Sequence, residues 1–364
     1  MILTNITNKS KIFVVFAISL ITIFFHKFFN TYVNIGDQSF FFNGDINQFM
    51  YGGSRLLKGE LSLILEFDDK APIFSLIFAI PAFFKSIYLW SYFNIIFLFF
   101  TSYCFSKIIK NLNHKILNNN NSEINYICRI SIISFLILSI LSPGSLTHIN
   151  NLANNLLIVS IYFLIISENK NLLNGKIYFI LSSFLASVSI GLRPYFLPLF
   201  LTLVLWLPIR NKLKEDIHFK LNNENLLYIF KVFLYFFATT FLFIFIFNLL
   251  PYLFTNNLQP LLSTLKINSI SYLNKGSVFQ DQLKYFHKNF YLPSIFTLAF
   301  FPITYIFRFT FRKKLKKLNE SGKINLLVVD NDLFLFSFIL PLIVEIMILR
   351  RHFHANYVSF FNPY

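Results

Sequence analysis

Six of the 16 acidic residues in the chain fall between positions 37 and 69: Asp37, Asp45, Glu60, Glu66, Asp68 and Asp69. They sit in short polar runs, Gly36-Asp37, Gly44-Asp45-Ile46-Asn47-Gln48-Phe49, Leu57-Lys58-Gly59-Glu60 and Glu66-Phe67-Asp68-Asp69-Lys70-Ala71-Pro72. A positioned carboxylate can take a proton from an attacking hydroxyl or hold a metal ion. Loops of this length are normally polar in any case, so spacing alone leaves a solvated loop as the alternative. A second concentration lies near the other end of the chain, Arg350-Arg351-His352-Phe353-His354-Ala355-Asn356-Tyr357. Its guanidinium groups suit an anionic ligand, with headgroup anchoring as the plainer role. His352 and His354 are of the right type to orient a substrate or bind a metal, although two nearby histidines in a loop are usually neither. Two more residues stand out by cost. Glu345 lies inside an apolar run, where a charged acid costs about 2.5–3.5 kcal/mol on insertion scales. It either opens onto a cavity near the end of that run or is neutral or paired with a neighbouring segment. Arg193, in Gly191-Leu192-Arg193-Pro194, sits at the boundary of another apolar run and suits a phosphate contact or a headgroup anchor.

The elements that must position these residues are membrane helices. Apolar residues make up 55% of the 364 positions and charged residues 13%, too little charge to clothe a soluble chain of this length, which makes the bilayer the expected solvent. The 51 Phe residues are read as compositional bias and not as chemistry. The net charge of +16 is not gathered into one stripe, as a nucleic-acid interface would require; the basic residues punctuate apolar runs, as topology signals do. Cys104 and Cys128 offer neither a disulfide framework nor metal-ligand spacing. Apolar runs at 12–29, 87–108, 126–141, 152–167, 177–192, 195–209, 226–250, 292–311 and 333–349 are read as about nine spans of an all-α integral membrane protein. The run at 12–29 follows Lys9 and Lys11 with no small-residue cleavage site after it, and is read as a retained span. The run at 72–84 is too short to cross and is read as an interfacial or re-entrant helix.

Charge sets the expected orientation. With the N-terminus in the cytoplasm, 20 of the 32 Lys and Arg residues fall on cytoplasmic segments or their flanks, and the run from Arg312 to Lys317 is the strongest single anchor. The chain is therefore expected to form one polytopic domain over 1–364. Within it, 30–85 forms a first exoplasmic loop with interfacial helices, 251–291 a second long exoplasmic loop and 312–332 a basic cytoplasmic loop. The Asn118–Asn121 run is a low-complexity connection.

The stretch from Asp45 to Pro72 resembles the first lumenal or periplasmic loop of the GT-C superfamily of glycosyltransferases. The nearest branch is that of protein mannosyltransferases and the lipid A aminoarabinose transferase. That family shows an acidic residue, an aromatic about four positions on, a Gly about fourteen on, and a Lys-Pro-Pro-like lead-in to a membrane helix. Asp45, Phe49, Gly59 and Lys70-Ala71-Pro72 follow that order, with Ala71 in place of the first Pro. The run from Arg350 to Tyr357, followed by Pro363, resembles the family's exoplasmic Arg/His–Tyr–Pro pattern, with Phe360 where a further Pro is common. At 148–163, Asn151, Asn154 and Asn155 stand where the family often has Asp, which puts a second acidic ligand in doubt. The family normally runs into another span after this pattern, so the chain is expected to be a short member or to continue beyond Tyr364.

The resemblance implies transfer of a sugar from a polyprenyl-phosphate donor to a glycan, lipid or protein acceptor on the exoplasmic side of, in a bacterium, the inner membrane. Asp45 would be the base of a single inverting displacement. Lys70, Arg350, Arg351, Tyr357, Arg193 and His354 would bind substrate, and Asp68, Asp69 and Glu345 are secondary acid candidates. A divalent metal is left open. The alternative is a flippase or polymerase-like handler of lipid-linked glycans; a flippase needs charge along a path between spans, where this sequence offers Glu345 and little else. A structural membrane subunit is a third reading, under which no activity would depend on Asp45.

Overall fold

The computed structural model describes residues 44–61, 72–113, 121–141, 149–169, 175–193, 196–215, 223–255, 299, 302–306, 308–321, 326–340 and 342. Helix accounts for 94% of the described residues and strand for none of them, so their backbone groups are satisfied mainly within helices.

Among the described residues two short helices come first. α1 spans Gly44–Leu57 and α2 spans Pro72–Phe83. α2 opens on proline, which costs nothing at a helix start. Its 12 residues reach about 18 Å, short of a ~30 Å hydrocarbon core, as the apolar run at 72–84 implied. Five longer helices follow: α3 (Ile87–Asn113), α4 (Asn121–Leu141), α5 (Ile149–Asn169), α6 (Lys176–Leu192) and α7 (Leu197–Glu215). α8 (Asn223–Ile244) continues through a π-helical turn at Phe245–Leu249 into α9 (Leu250–Phe254). α10 (Arg312–Glu320) and α11 (Leu326–Phe334) come last, α11 running into a second π turn at Leu335–Ile339. Each expected span from 87 to 250 coincides with a helix. The α8–α9 helix runs to Phe254, past the expected end at 250, because Tyr252, Leu253 and Phe254 extend its apolar surface. The expected span at 12–29 lies outside the described residues, and those at 292–311 and 333–349 are described only in part.

Two stretches, Tyr92–Asn111 and Asn223–Phe254, are long and apolar enough to cross a membrane by length and composition. Both stretches leave many large apolar side chains exposed. On α8 the buried stripe is Ile229, Val232, Phe236 and Thr240, while Leu227, Phe230, Leu234, Phe237, Phe241 and Leu242 are exposed. Only 22% of the most apolar window of Asn223–Phe254 is buried. Small polar residues join the apolar ones at the helix contacts. Ser160 Oγ donates to the Ser182 carbonyl at 2.8 Å and Ser182 Oγ returns the bond to the Ser160 carbonyl at 2.7 Å. Ser189 Oγ donates to the Ala153 carbonyl at 2.7 Å. A Cβ on Gly175 would stand 2.5 Å from the Ser167 carbonyl oxygen, so α5 and α6 approach as closely as small residues allow.

These contacts fix direction. Ser167 meets Gly175, Ser160 meets Ser182 and Ala153 meets Ser189, so α5 and α6 are antiparallel. Phe179 meets Phe236, Ser183 meets Thr239 at 2.9 Å and Gly191 meets Asn248, so α6 and α8 run parallel. α7 starts within a few residues of the end of α6 and runs back in the opposite direction, in contact with α5 and α8. One end of this bundle thus carries Lys176, Arg210 and the start of α8; the other carries Arg193 and the π turn.

Candidate functional site

α1 and α2 pack on the second of these ends. Phe49, buried one turn after Asp45, lies 4.9 Å from Phe74 and 5.2 Å from Phe78 between ring centroids, and Phe78 lies 4.2 Å from Trp90 at the start of α3. One turn further on, Gly53 abuts the α2 backbone: a Cβ there would stand 2.5 Å from the Phe78 carbonyl carbon and oxygen. Phe49 against Phe74, then Gly53 against Phe78 and Ala79, advance together along both helices. The first turn of α1, which holds Asp45, therefore lies toward the beginning of α2, the end reached by Lys70-Ala71-Pro72. The first-turn N–H groups of a helix lack intrahelical partners, so this is an electropositive backbone position.

Gly59 has a turn-forming role. Its φ of +77° places it in the left-handed region, where Gly carries no Cβ penalty. Glu60 N–H donates to the Arg55 carbonyl at 3.1 Å and Gly59 N–H to the Leu56 carbonyl at 3.0 Å, the pattern of a Schellman cap closing α1. Arg55 Nη1 donates to Glu60 Oε2 at 2.5 Å and Arg55 Nε to Tyr51 Oη at 2.8 Å. The hydrogen bond to Glu60, then that to Tyr51, hold the Arg55 guanidinium above its ordinary pKa. Glu60 is thus part of the cap of α1, which separates it from the other loop acids.

Arg193 caps α6, its N–H donating to the Ser189 carbonyl at 2.9 Å. Its guanidinium carbon lies 5.9 Å from the centre of the Phe74 ring. The structure therefore places Arg193 beside the beginning of α2, on the side of the fold where α1 begins. The π turn of α8 also touches α2. There Asn248 is buried with both amide atoms lacking a hydrogen-bond partner among the described residues, as does the buried Ser75 Oγ next to Phe74. The Asn248 Nδ2 stands 2.7 Å from where a Cβ on Gly191 would be. Asn154 and Asn155, at the start of α5, are buried at the same end through the Ser189–Ala153 contact. A π turn widens a helix by one residue and commonly marks functional positions.

Sequence reasoning missed Asn248 and Ser75. A lone Asn inside the apolar run at 226–250 was the available signal for Asn248, by the same desolvation argument that singled out Glu345. Lys70, Asp68, Asp69, Glu345, Arg350, Arg351, His354 and Tyr357 lie outside the described residues, as does Asp37. Among the described residues no cluster of three or more His, Cys, Asp or Glu is placed to hold a metal ion. The chain matches no family model, no curated protein and no solved structure.

Proposed function

We propose that the chain is a polytopic membrane glycosyltransferase of the GT-C kind. It has about nine spans, an N-terminus in the cytoplasm, and α2 lying at the exoplasmic interface. It moves a sugar from a polyprenyl-phosphate donor to an acceptor on that side, with Asp45 as base and inversion at the anomeric carbon.

The observation that carries this reading is the convergence at one end of the bundle. The first turn of α1, which holds Asp45, and the beginning of α2 lie toward the end that carries the Arg193 guanidinium and the buried amide of Asn248, while the opposite end carries Lys176 and Arg210. Under the proposed orientation the first end is exoplasmic. A polyprenyl phosphate presents its anion at the interface with its chain in the bilayer. Arg193, with Lys70, Arg350 and Arg351 from the flanking segments, supplies positive charge for the phosphate, which leaves as the anomeric bond breaks. Asp45 accepts the acceptor's hydroxyl proton as the new glycosidic bond forms.

The test is a turnover assay. Purified protein in lipid, given a panel of polyprenyl-phosphate sugars and acceptor extract, is expected to release free polyprenyl phosphate from one donor class. Donor translocation across the bilayer without release would turn the assignment to a flippase.

A further inference from the structure

A cleft of about 630 Å³ lies between α6 and α8, at the end of the bundle opposite Arg193. Its walls include Lys176, Lys231, Tyr228, Tyr235, Phe179 and Ala238. Lys176 is the first residue of α6, and Lys231 lies eight residues along α8, about 12 Å from the start of that helix. Because α6 and α8 run parallel, both lysines line one cleft near the same end of the bundle. The floor is apolar: Phe179 is buried, 5.1 Å from both Tyr235 and Phe236.

The surroundings of Lys231 define what the cleft can hold. Leu226, Leu227 and Phe230 precede it and Leu234 follows it, all exposed, so its charge emerges from an apolar surface. The acidic residue of α8, Glu224, lies two turns away in the first turn of the helix. Neither Lys176 nor Lys231 has an ion-pair partner among the described residues. A cation at hydrocarbon depth is costly unless it snorkels or meets an anion. Two lysines above an apolar groove match one molecule in both halves, an anionic headgroup joined to acyl chains.

We propose that this cleft is a binding site for an anionic phospholipid, its phosphate held between Lys176 and Lys231 and an acyl chain lying along Phe179 and Ala238. The proposal rests on the membrane reading but not on the glycosyltransferase one. An alkaline carbonate wash separates the two failures, since a chain that washes off the membrane defeats the membrane reading itself.

The experiment is native mass spectrometry of the detergent-purified protein titrated with phosphatidylglycerol and, in parallel, phosphatidylcholine of the same chains. The parent is expected to retain phosphatidylglycerol preferentially, and inorganic phosphate at equal concentration should not displace it. In Lys176→Gln/Lys231→Gln the preference should fall by about 30-fold, roughly fivefold per lysine. Ala238→Trp keeps both charges and fills the groove, and should weaken retention of the whole lipid. Lys313→Gln/Lys316→Gln, on exposed α10, should leave the preference intact. A parent without preference, a preference unmoved by both cleft variants, or an equal loss in the α10 control would each overturn the proposal.

Discussion

Gly53→Ala tests how α1 is seated, and with it the position of Asp45. In an ordinary helix this change is stabilising by about 1 kcal/mol, since Ala has the higher helix propensity. Here the new methyl would stand 2.5 Å from the Phe78 carbonyl carbon and oxygen and 2.7 Å from the Ala79 nitrogen. Carbon contacts are relaxed at about 3.5–4.0 Å, so α1 must lift from α2 by about 1 Å at that point. The obstacle is backbone and cannot turn aside as a flexible side chain would. Overpacking of this kind costs about 1–3 kcal/mol, which exceeds or cancels the propensity gain. The lift also opens the contacts of Phe49 with Phe74 and Phe78 one turn away. The expected result is a lower thermal unfolding temperature in lipid or detergent, with turnover reduced further than stability because Asp45 moves with α1. A rise in unfolding temperature with unchanged turnover would show that Gly53 is not at a close helix crossing, and would refute this placement of α1.

Asp332 accepts a two-point contact from Arg210 Nε, at 3.0 and 2.9 Å, with side chains only 3% and 13% exposed. Asp332→Ala should therefore destabilise by about 3–5 kcal/mol in chemical unfolding, while Arg210→Met/Asp332→Leu recovers most of the loss. Equal destabilisation by the single and double variants would contradict a buried pair. Cysteines introduced at Ser62 and Ile270 should be labelled by an impermeant reagent from the exoplasmic side and one at Lys316 should not; outside labelling at 316 would invert the proposed topology. Lys70→Ala and Arg351→Ala should each lower use of the lipid donor by roughly ten- to a hundred-fold, the worth of a charge-assisted contact. Unchanged donor dependence in both would assign those side chains to headgroup anchoring.

Helix positions were legible because apolar length is a local property of the chain. The segment at 72–84 read as too short to span and forms α2 at Pro72–Phe83, and the run at 177–192 forms α6 at Lys176–Leu192. What the sequence concealed depends on partners far along the chain. Arg210 reads as one more basic flank until Asp332, 122 residues on, is seen to hold it. The same holds for Arg308, whose guanidinium pairs with Asp330. Gly53 looks like any glycine until the α2 backbone is beside it. Of the candidate site, Arg193 and Asp45 were singled out from the sequence and lie toward one end of the fold, whereas the helix that begins beside Asp45 was not read from it. Glu60 drew attention as one of six clustered acids, yet local geometry makes it a partner of the α1 cap. Asn248 escaped notice because one amide inside an apolar run perturbs hydropathy little, whereas its burial without a partner is visible only in three dimensions.

The central claim is that Asp45 is the base of a glycosyl transfer, and Asp45→Asn addresses it most directly. Asn keeps the shape and most of the hydrogen bonding but cannot accept the acceptor's proton. The variant should insert and bind donor as the parent does, while release of polyprenyl phosphate falls by about 10²–10⁴-fold. Asp37→Asn, Asp68→Asn and Asp69→Asn, measured alongside, should retain far more activity, since a general need for loop acidity would affect all four alike. Near-normal turnover by Asp45→Asn, with loss in Asp68→Asn or Asp69→Asn, would move the base to the pair before Lys70; insensitivity of all four in an active preparation would remove the chemical centre of the account.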